Sequence, residues 1–207
     1  MSVSSVSYLV SVLSAQGELL PKFLEPVCGC EGSSGKVTLR GIADVYLESY
    51  APETLEQEDV KNRLREADIC LLLVDFLDVM TVDQIREILR NLPTNAARNM
   101  HVLICRQPGR TDYKISCTKC GQKLMVQDAM AMRRARCPRC QEFFQIPGQV
   151  DLVRAELLIP ANRLVRKITL GDVAIGQQAL ETLIRQHTNR STVTKSTTMR
   201  LDLPPEV

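Results

Sequence analysis

Four cysteines have the type and spacing that metal chemistry needs. Cys117 and Cys120 form one Cys-x-x-Cys pair, Cys137 and Cys140 form a second, and sixteen residues separate the two. Each pair offers two sulfurs from one tight bend, and zinc takes four thiolates at about 2.3 Å in a tetrahedron. Gly121 directly follows the second ligand and suits the left-handed backbone such a bend often needs, while Pro138 stiffens the second bend. With cysteine at all four positions no place is left for a reactive water. One Zn2+ is therefore expected to shape the chain rather than to catalyse.

The remaining candidates are weaker. His101 and His187 are the only histidines, and neither stands beside a nucleophile or in a His-Glu-x-x-His pattern, so packing roles are expected. Cys70 and Cys105 lie in apolar runs and read as core residues, and Cys28 and Cys30 read as loop thiols. The segment 29–38 carries a glycine-rich stretch before Lys36, yet Gly29 is one residue too far from Gly35 for a phosphate loop. Val37 also stands where the magnesium-binding hydroxyl belongs, and a strand follows where a helix is required. Within 110–140, eight basic residues (Arg110, Lys114, Lys119, Lys123, Arg133, Arg134, Arg136, Arg139) face Asp112 and Asp128. That gives the segment +6 and leaves −4 for the rest of a chain whose net charge is +2. Lys119, Lys123, Arg133, Arg134, Arg136 and Arg139 are thus candidates for contact with a polyanion, although the stretch between the two pairs lacks aromatics for base stacking.

The elements that must position these residues follow from hydrophobic patterning. The 207 residues, 44% of them hydrophobic, can bury one α/β core plus a small module. Strands are expected at 6–13, 37–47 (bent at Gly41), 68–76 and 100–106. Helices are expected at 18–25, 55–66 and from Thr81 to Pro93, where Val82, Ile85, Ile88, Leu89 and Leu92 form one apolar stripe. The run Ile69–Val74 is apolar at every position, as a central strand covered on both faces requires. The segment 150–170 should add one or two strands, Asp172 should cap a last helix reaching His187, and 188–207 reads as a tail. The organisation expected is an α/β domain over 1–110, an insertion over 111–148, a completing segment over 149–187 and the tail.

No apolar run approaches the roughly 20 residues that span a bilayer. The N-terminus has no Lys or Arg before its apolar stretch and reads as a strand, not a signal peptide. Paired metal-type cysteines favour a reducing compartment, so a cytoplasmic address is expected.

Two resemblances bear on the fold. The segments Ile115 to Val126, Arg136 to Cys140 and Phe144 to Pro147 resemble short bacterial zinc ribbons, a module of 33 residues over 115–147. Residues 64–77, followed by an acidic helix and the strand His101 to Arg106, are similar to the middle of Toll/interleukin-1-receptor (TIR) domains. This implies an open, mostly parallel, flavodoxin-like sheet carrying the inserted ribbon. Small GTPase-like proteins share the pattern of a helix, Ala-Asp and an apolar strand, but 104–108 lacks their guanine-reading Asn-Lys-x-Asp. The NAD-cleaving TIR members carry a catalytic Glu whose loosely placed counterpart here is Glu87, on the solvated side of its helix. With no intact catalytic motif, a cytoplasmic zinc-binding signalling or scaffold protein that works through a protein partner is the function expected. The alternatives are a TIR-like NAD-cleaving enzyme using Glu87 and a nucleic-acid-binding ribbon protein.

Overall fold

The computed structural model describes residues 6–197, apart from 30–31, 76–78, 107 and 110. The chain opens with β1 (Ser7–Ser14) and α1 (Leu19–Cys28), followed by β2 (Ser34–Leu39) and β3 (Ala43–Tyr50). Next come α2 (Glu58–Glu66), β4 (Ile69–Val74), α3 (Val79–Asn91), α4 (Thr94–Arg98) and β5 (Met100–Arg106). After these, β6 (Asp112–Ser116), β7 (Lys123–Gln127), β8 (Arg134–Arg136) and β9 (Phe143–Gln145) carry the cysteine pairs. The chain then returns as α5 (Gln149–Leu157), β10 (Val165–Thr169) and α6 (Val173–Thr197).

Six strands form the main sheet in the order β10-β5-β4-β1-β3-β2. Five of them are parallel, and β2 alone runs antiparallel, against β3. The patterning explains the centre of this sheet. β4 is buried at all six positions: Ile69, Leu71 and Leu73 enter the core layer beneath α1 and α6, and Cys70, Leu72 and Val74 enter the layer beneath the helices of the other face. The layers also share β5, with Leu103 and Cys105 on one side and Val102 and Ile104 on the other.

Several expectations are corrected. The single bent strand over 37–47 is a hairpin, because Gly41 takes φ 71° and reverses the chain between β2 and β3. That reversal creates the antiparallel edge strand β2, which an open flavodoxin-like parallel sheet does not have. The third helix begins at Val79, ahead of Thr81, so Thr81 does not cap it. In the region expected to supply one or two strands, helix α5 takes the first part and β10 is the one strand. Asp172 does cap the last helix, its carboxylate accepting the Ile175 amide at 3.0 Å. That helix passes His187 and continues to Thr197, while 198–207 lies outside the described residues.

Candidate metal centre and the closed strand ends

The four-cysteine module consists of two short antiparallel hairpins, β6–β7 and β8–β9, and in each the two strands are joined by one Cys-x-x-Cys bend. The bends repeat the same local geometry. In the first, the Gly121 amide donates to the Cys117 carbonyl at 3.0 Å and the Cys117 amide to the Gln122 carbonyl at 2.9 Å. In the second, the Gln141 amide donates to the Cys137 carbonyl at 2.9 Å and the Cys137 amide to the Glu142 carbonyl at 2.9 Å. Gly121 and Gln141 hold matching left-handed conformations, φ 70° and 61°.

This duplication brings all four sulfurs within 4.8 Å of one another. Cys117 Sγ lies 3.7 Å from Cys140 Sγ, and Cys120 Sγ lies 3.7 Å from Cys137 Sγ. A tetrahedron with metal–sulfur bonds of about 2.3 Å has edges of about 3.8 Å, so the donor set fits a tetrahedral thiolate-binding metal. Amide groups favour the thiolate form at two of the four sulfurs. The Cys120 and Lys119 amides lower the Cys117 thiol to about 6, and the Cys140 amide lowers Cys137. At Cys140 the Glu142 amide pulls the thiol down, but burial and the three neighbouring sulfurs push it up, to about 12. A cation among the four sulfurs removes that crowding, which is the chemistry of a metal site. Tyr113, Ile115, Val126, Phe144 and Ile146 pack beneath Cys117 and Cys137 and make up the module's own small core.

The module sits against the carboxyl ends of β5 and β10. Lys167 of β10 donates to both Asp128 oxygens, at 2.9 and 2.8 Å, and Arg106 at the end of β5 pairs with Asp128 at 3.1 Å. Burial pushes the Asp128 carboxyl up, yet Lys167 and Arg106 outweigh it and hold the group below its usual range. A narrow crevice of about 10 Å³, room for a single water, is lined by Asp75, Ile104, Tyr113, Lys114, Gln149, Leu152 and Val153. Nothing in the sequence singles out the Arg106–Asp128–Lys167 cluster. Asp128 is legible there only as one of two acids in a basic segment.

The other sequence candidates stay apart. Glu87 is exposed on α3 and pairs with Arg90 at 3.3 Å, in line with a surface acid. His101 is buried, and its Nδ1 accepts the Leu164 amide at 2.9 Å, tying β5 to the chain before β10. His187 meets Tyr8 edge-on, with ring centroids 5.9 Å apart. Burial pushes the Cys70 thiol up to about 12 and raises Cys105 as well, so both are inert packing groups. Cys28 ends α1 half-buried, while Cys30 lies outside the described residues. Lys36 belongs to β2 and pairs with Asp44 at 2.8 Å. Lys119 is tied to Glu142 at 2.7 Å, whereas Arg133, Arg134, Arg136 and Arg139 stand on the exposed side of the module.

A parallel α/β sheet holds its ligands outside the carboxyl ends of its strands, where the winding reverses. Here that point lies between β1 and β4. The loop joining β1 to α1 is residues 15–18, only four residues, and it is folded onto itself. Ser14 Oγ donates to the Leu73 carbonyl at 3.2 Å and accepts the Gln16 amide at 3.1 Å. The Leu19 and Leu20 amides are spent on the carbonyls of Gln16 and Gly17.

The class is an α/β fold with a six-stranded, mostly parallel sheet and one antiparallel edge strand. Among solved structures the chain is similar to a variant of Era from Aquifex aeolicus bound to GDP·AlF4−, with a TM-score of 0.53 and 13% identity. The match covers 87% of this chain and 57% of that one, so the chain spans little more than half the length of Era. It also matches the FeoB G-domain from Methanococcus jannaschii at a TM-score of 0.47 and 13% identity, covering 89% of this chain and 99% of that one. No family model matches the chain, and no curated protein does either. This likeness corrects the flavodoxin-like and TIR-like expectation. With it go the three functions expected alongside: the signalling or scaffold role, NAD cleavage through Glu87, and the nucleic-acid-binding ribbon. Among the described residues, no helix is long and apolar enough to cross a membrane.

Proposed function

We propose that this chain is a GTPase-fold domain that works without a nucleotide, and that one structural zinc ion in a ribbon secures the strand ends in its place. The observation that carries this reading is the loop after β1. In phosphate-binding domains that loop is Gly-x-x-x-x-Gly-Lys-Ser/Thr, its amides turned to the phosphates, its Lys on the β- and γ-phosphates and its hydroxyl on Mg2+. Here Gly17-Glu18-Leu19 stands where Gly-Lys-Ser/Thr is needed. A carboxylate replaces the ammonium, a methyl-ended side chain replaces the hydroxyl, and two amides are already bonded. Both the charge and the donor set are wrong for a triphosphate.

The base-reading position is altered in the same direction. Arg106 ends β5, and its guanidinium pairs with the ribbon's Asp128 instead of facing an open site. Cys117, Cys120, Cys137 and Cys140 would hold the zinc, which supplies cross-linking charge and no reactive position. The test is binding of GTP and ATP, each with Mg2+, to metal-loaded protein by calorimetry, with metal content measured on the same sample. One zinc per chain and no heat of nucleotide binding up to about 1 mM is the expected result. Saturable micromolar nucleotide binding overturns the reading.

A further inference from the structure

Helices and hairpins bury their apolar side chains unless something else covers them, and one face of the module leaves them out. On β8 and β9 the paired residues Arg134 with Gln145, and Arg136 with Phe143, point away from the module's core, while Ala135 and Phe144 point into it. Phe143 is 56% exposed on that outer face. The Arg136 guanidinium lies 5.0 Å and that of Arg134 5.7 Å from its ring centroid. Met132 extends the strip at the hairpin's end: it is 59% exposed, its amide donates to the Ile146 carbonyl at 2.8 Å, and Gln145 Nε2 donates to its carbonyl at 3.1 Å.

Two further properties mark this strip. Met132 has φ 65°, a left-handed conformation that costs a side-chain-bearing residue about 1 kcal/mol or more. At Gln141 the metal bend requires that conformation, at Leu158 it terminates α5, and at Met132 it closes the turn in which the Arg133 amide donates to the Met130 carbonyl at 3.1 Å, leaving the thioether at the exposed tip. The strip is also uncompensated in charge. Neither β8 nor β9 carries a carboxylate, the adjacent Glu142 is already bound by Lys119, and neither Arg134 nor Arg136 has an acidic partner among the described residues.

We infer that the outer face of the β8–β9 hairpin docks an acidic segment of a partner protein, an extended peptide in which carboxylates flank a Leu, Ile or Phe side chain. The carboxylates pair with Arg134 and Arg136, and the apolar side chain covers Phe143 and Met132. Methionine adapts to such a contact because its side chain is flexible and polarisable. The geometry favours peptide over nucleic acid. Strands of three residues run about 10 Å, the reach of a few peptide residues, and the Phe143 ring already carries two guanidinium groups where a base would stack.

This inference rests on the ribbon being metal-held, so binding and metal content are measured separately on full-length, zinc-loaded protein. The probe is a fluorescein-labelled ten-residue peptide alternating Glu with Leu, titrated by anisotropy. Its Lys-for-Glu counterpart and a labelled twelve-residue oligothymidylate serve as comparisons. Saturable, salt-sensitive binding of the acidic peptide alone is expected, weakened about tenfold or more in R134Q/R136Q and in Phe143→Ser while each variant keeps its metal. Should Phe143→Ser lose metal, Phe143→Gln and R134Q/R136Q decide the matter. Undiminished binding in metal-retaining variants, no binding by about 1 mM, or tighter binding of the oligonucleotide overturns the inference. A wild-type protein without zinc would instead sink the reading of the ribbon.

Discussion

The α/β body and the four-cysteine module are held together by different forces. The body closes around two apolar layers in which β4 is buried on both faces, and large side chains such as Leu71, Leu72 and Leu73 are fully enclosed. The module's cluster has seven buried residues, two of which are the ligands Cys117 and Cys137. So little apolar burial cannot offset the conformational entropy of two hairpins and two left-handed bends, so a metal held by the four cysteines would be the module's effective core. The surfaces differ as well: the loop after β1 is bonded to itself, while Phe143 and Met132 of the module stand exposed.

The largest expected effect breaks the comparison outright if it fails. Replacing Cys137 by Ser should unfold the module over 114–147, because structural zinc contributes roughly 10 kcal/mol or more of folding free energy in isolated zinc modules. The body should survive, since its own layers do not depend on the sulfurs. Amide exchange reads both regions at once. Loss of protection at Ile115, Val126 and Ile146 with retention at Leu71 and Leu103 is the expected pattern. Loss in β4 and β5 as well would show that the module is part of the body's core.

The sequence made the two regions legible to different depths. The clustering of the module's four cysteines could be read outright, because metal chemistry fixes residue type and spacing within a few residues of chain. The central strands were also readable: six consecutive apolar residues from Ile69 admit few other placements. The fold class was missed at one glycine. Whether Gly41 bends a strand or reverses it is a tertiary matter, decided by the pairing of Val37 with Val45 across β2 and β3. The helix α5 was missed because its nine residues present apolar side chains on two sides, Val150, Val153 and Leu157 to the body and Leu152 to the module's cluster, which blurs its helical stripe. The Arg106–Asp128–Lys167 cluster joins residues far apart in sequence, and no local signal encodes it.

That cluster is where the two regions meet, and removing its centre sharpens the comparison at an intermediate scale. Asp128→Ala leaves Arg106 and Lys167 facing each other without a counter-ion, at a cost of roughly 2 kcal/mol for partly exposed groups. The expected readout is faster amide exchange in β10 with the metal retained. The contribution also depends on pH in a definite sense. The folded carboxyl titrates below its unfolded value of about 3.9, so its stabilisation is fully present above that pH and is lost as the pH falls through the lower folded value. The stability gap between the native protein and Asp128→Asn should therefore be constant near neutrality and narrow below about pH 4. A gap that widens on acidification would mean that Asp128 is not the anion of this cluster.

The smallest effect tests whether the two metal bends are as equivalent as their hydrogen bonds suggest. Gly121 and Gln141 occupy the same left-handed position, and a Cβ added at Gly121 would meet nothing within 4 Å. Any difference between the residues there is consequently conformational, on the order of 1 kcal/mol. Gly121→Gln should weaken zinc retention by about that amount. Gln141→Gly should strengthen it by somewhat less, because the hydrogen bond from Gln141 Nε2 to the Pro138 carbonyl, at 3.1 Å, is lost as the strain is relieved. Competition with a chelator of known affinity measures both shifts on one scale. Opposite signs would establish that one backbone geometry is imposed twice by the metal, and matching signs would show that the second bend draws on its glutamine side chain instead.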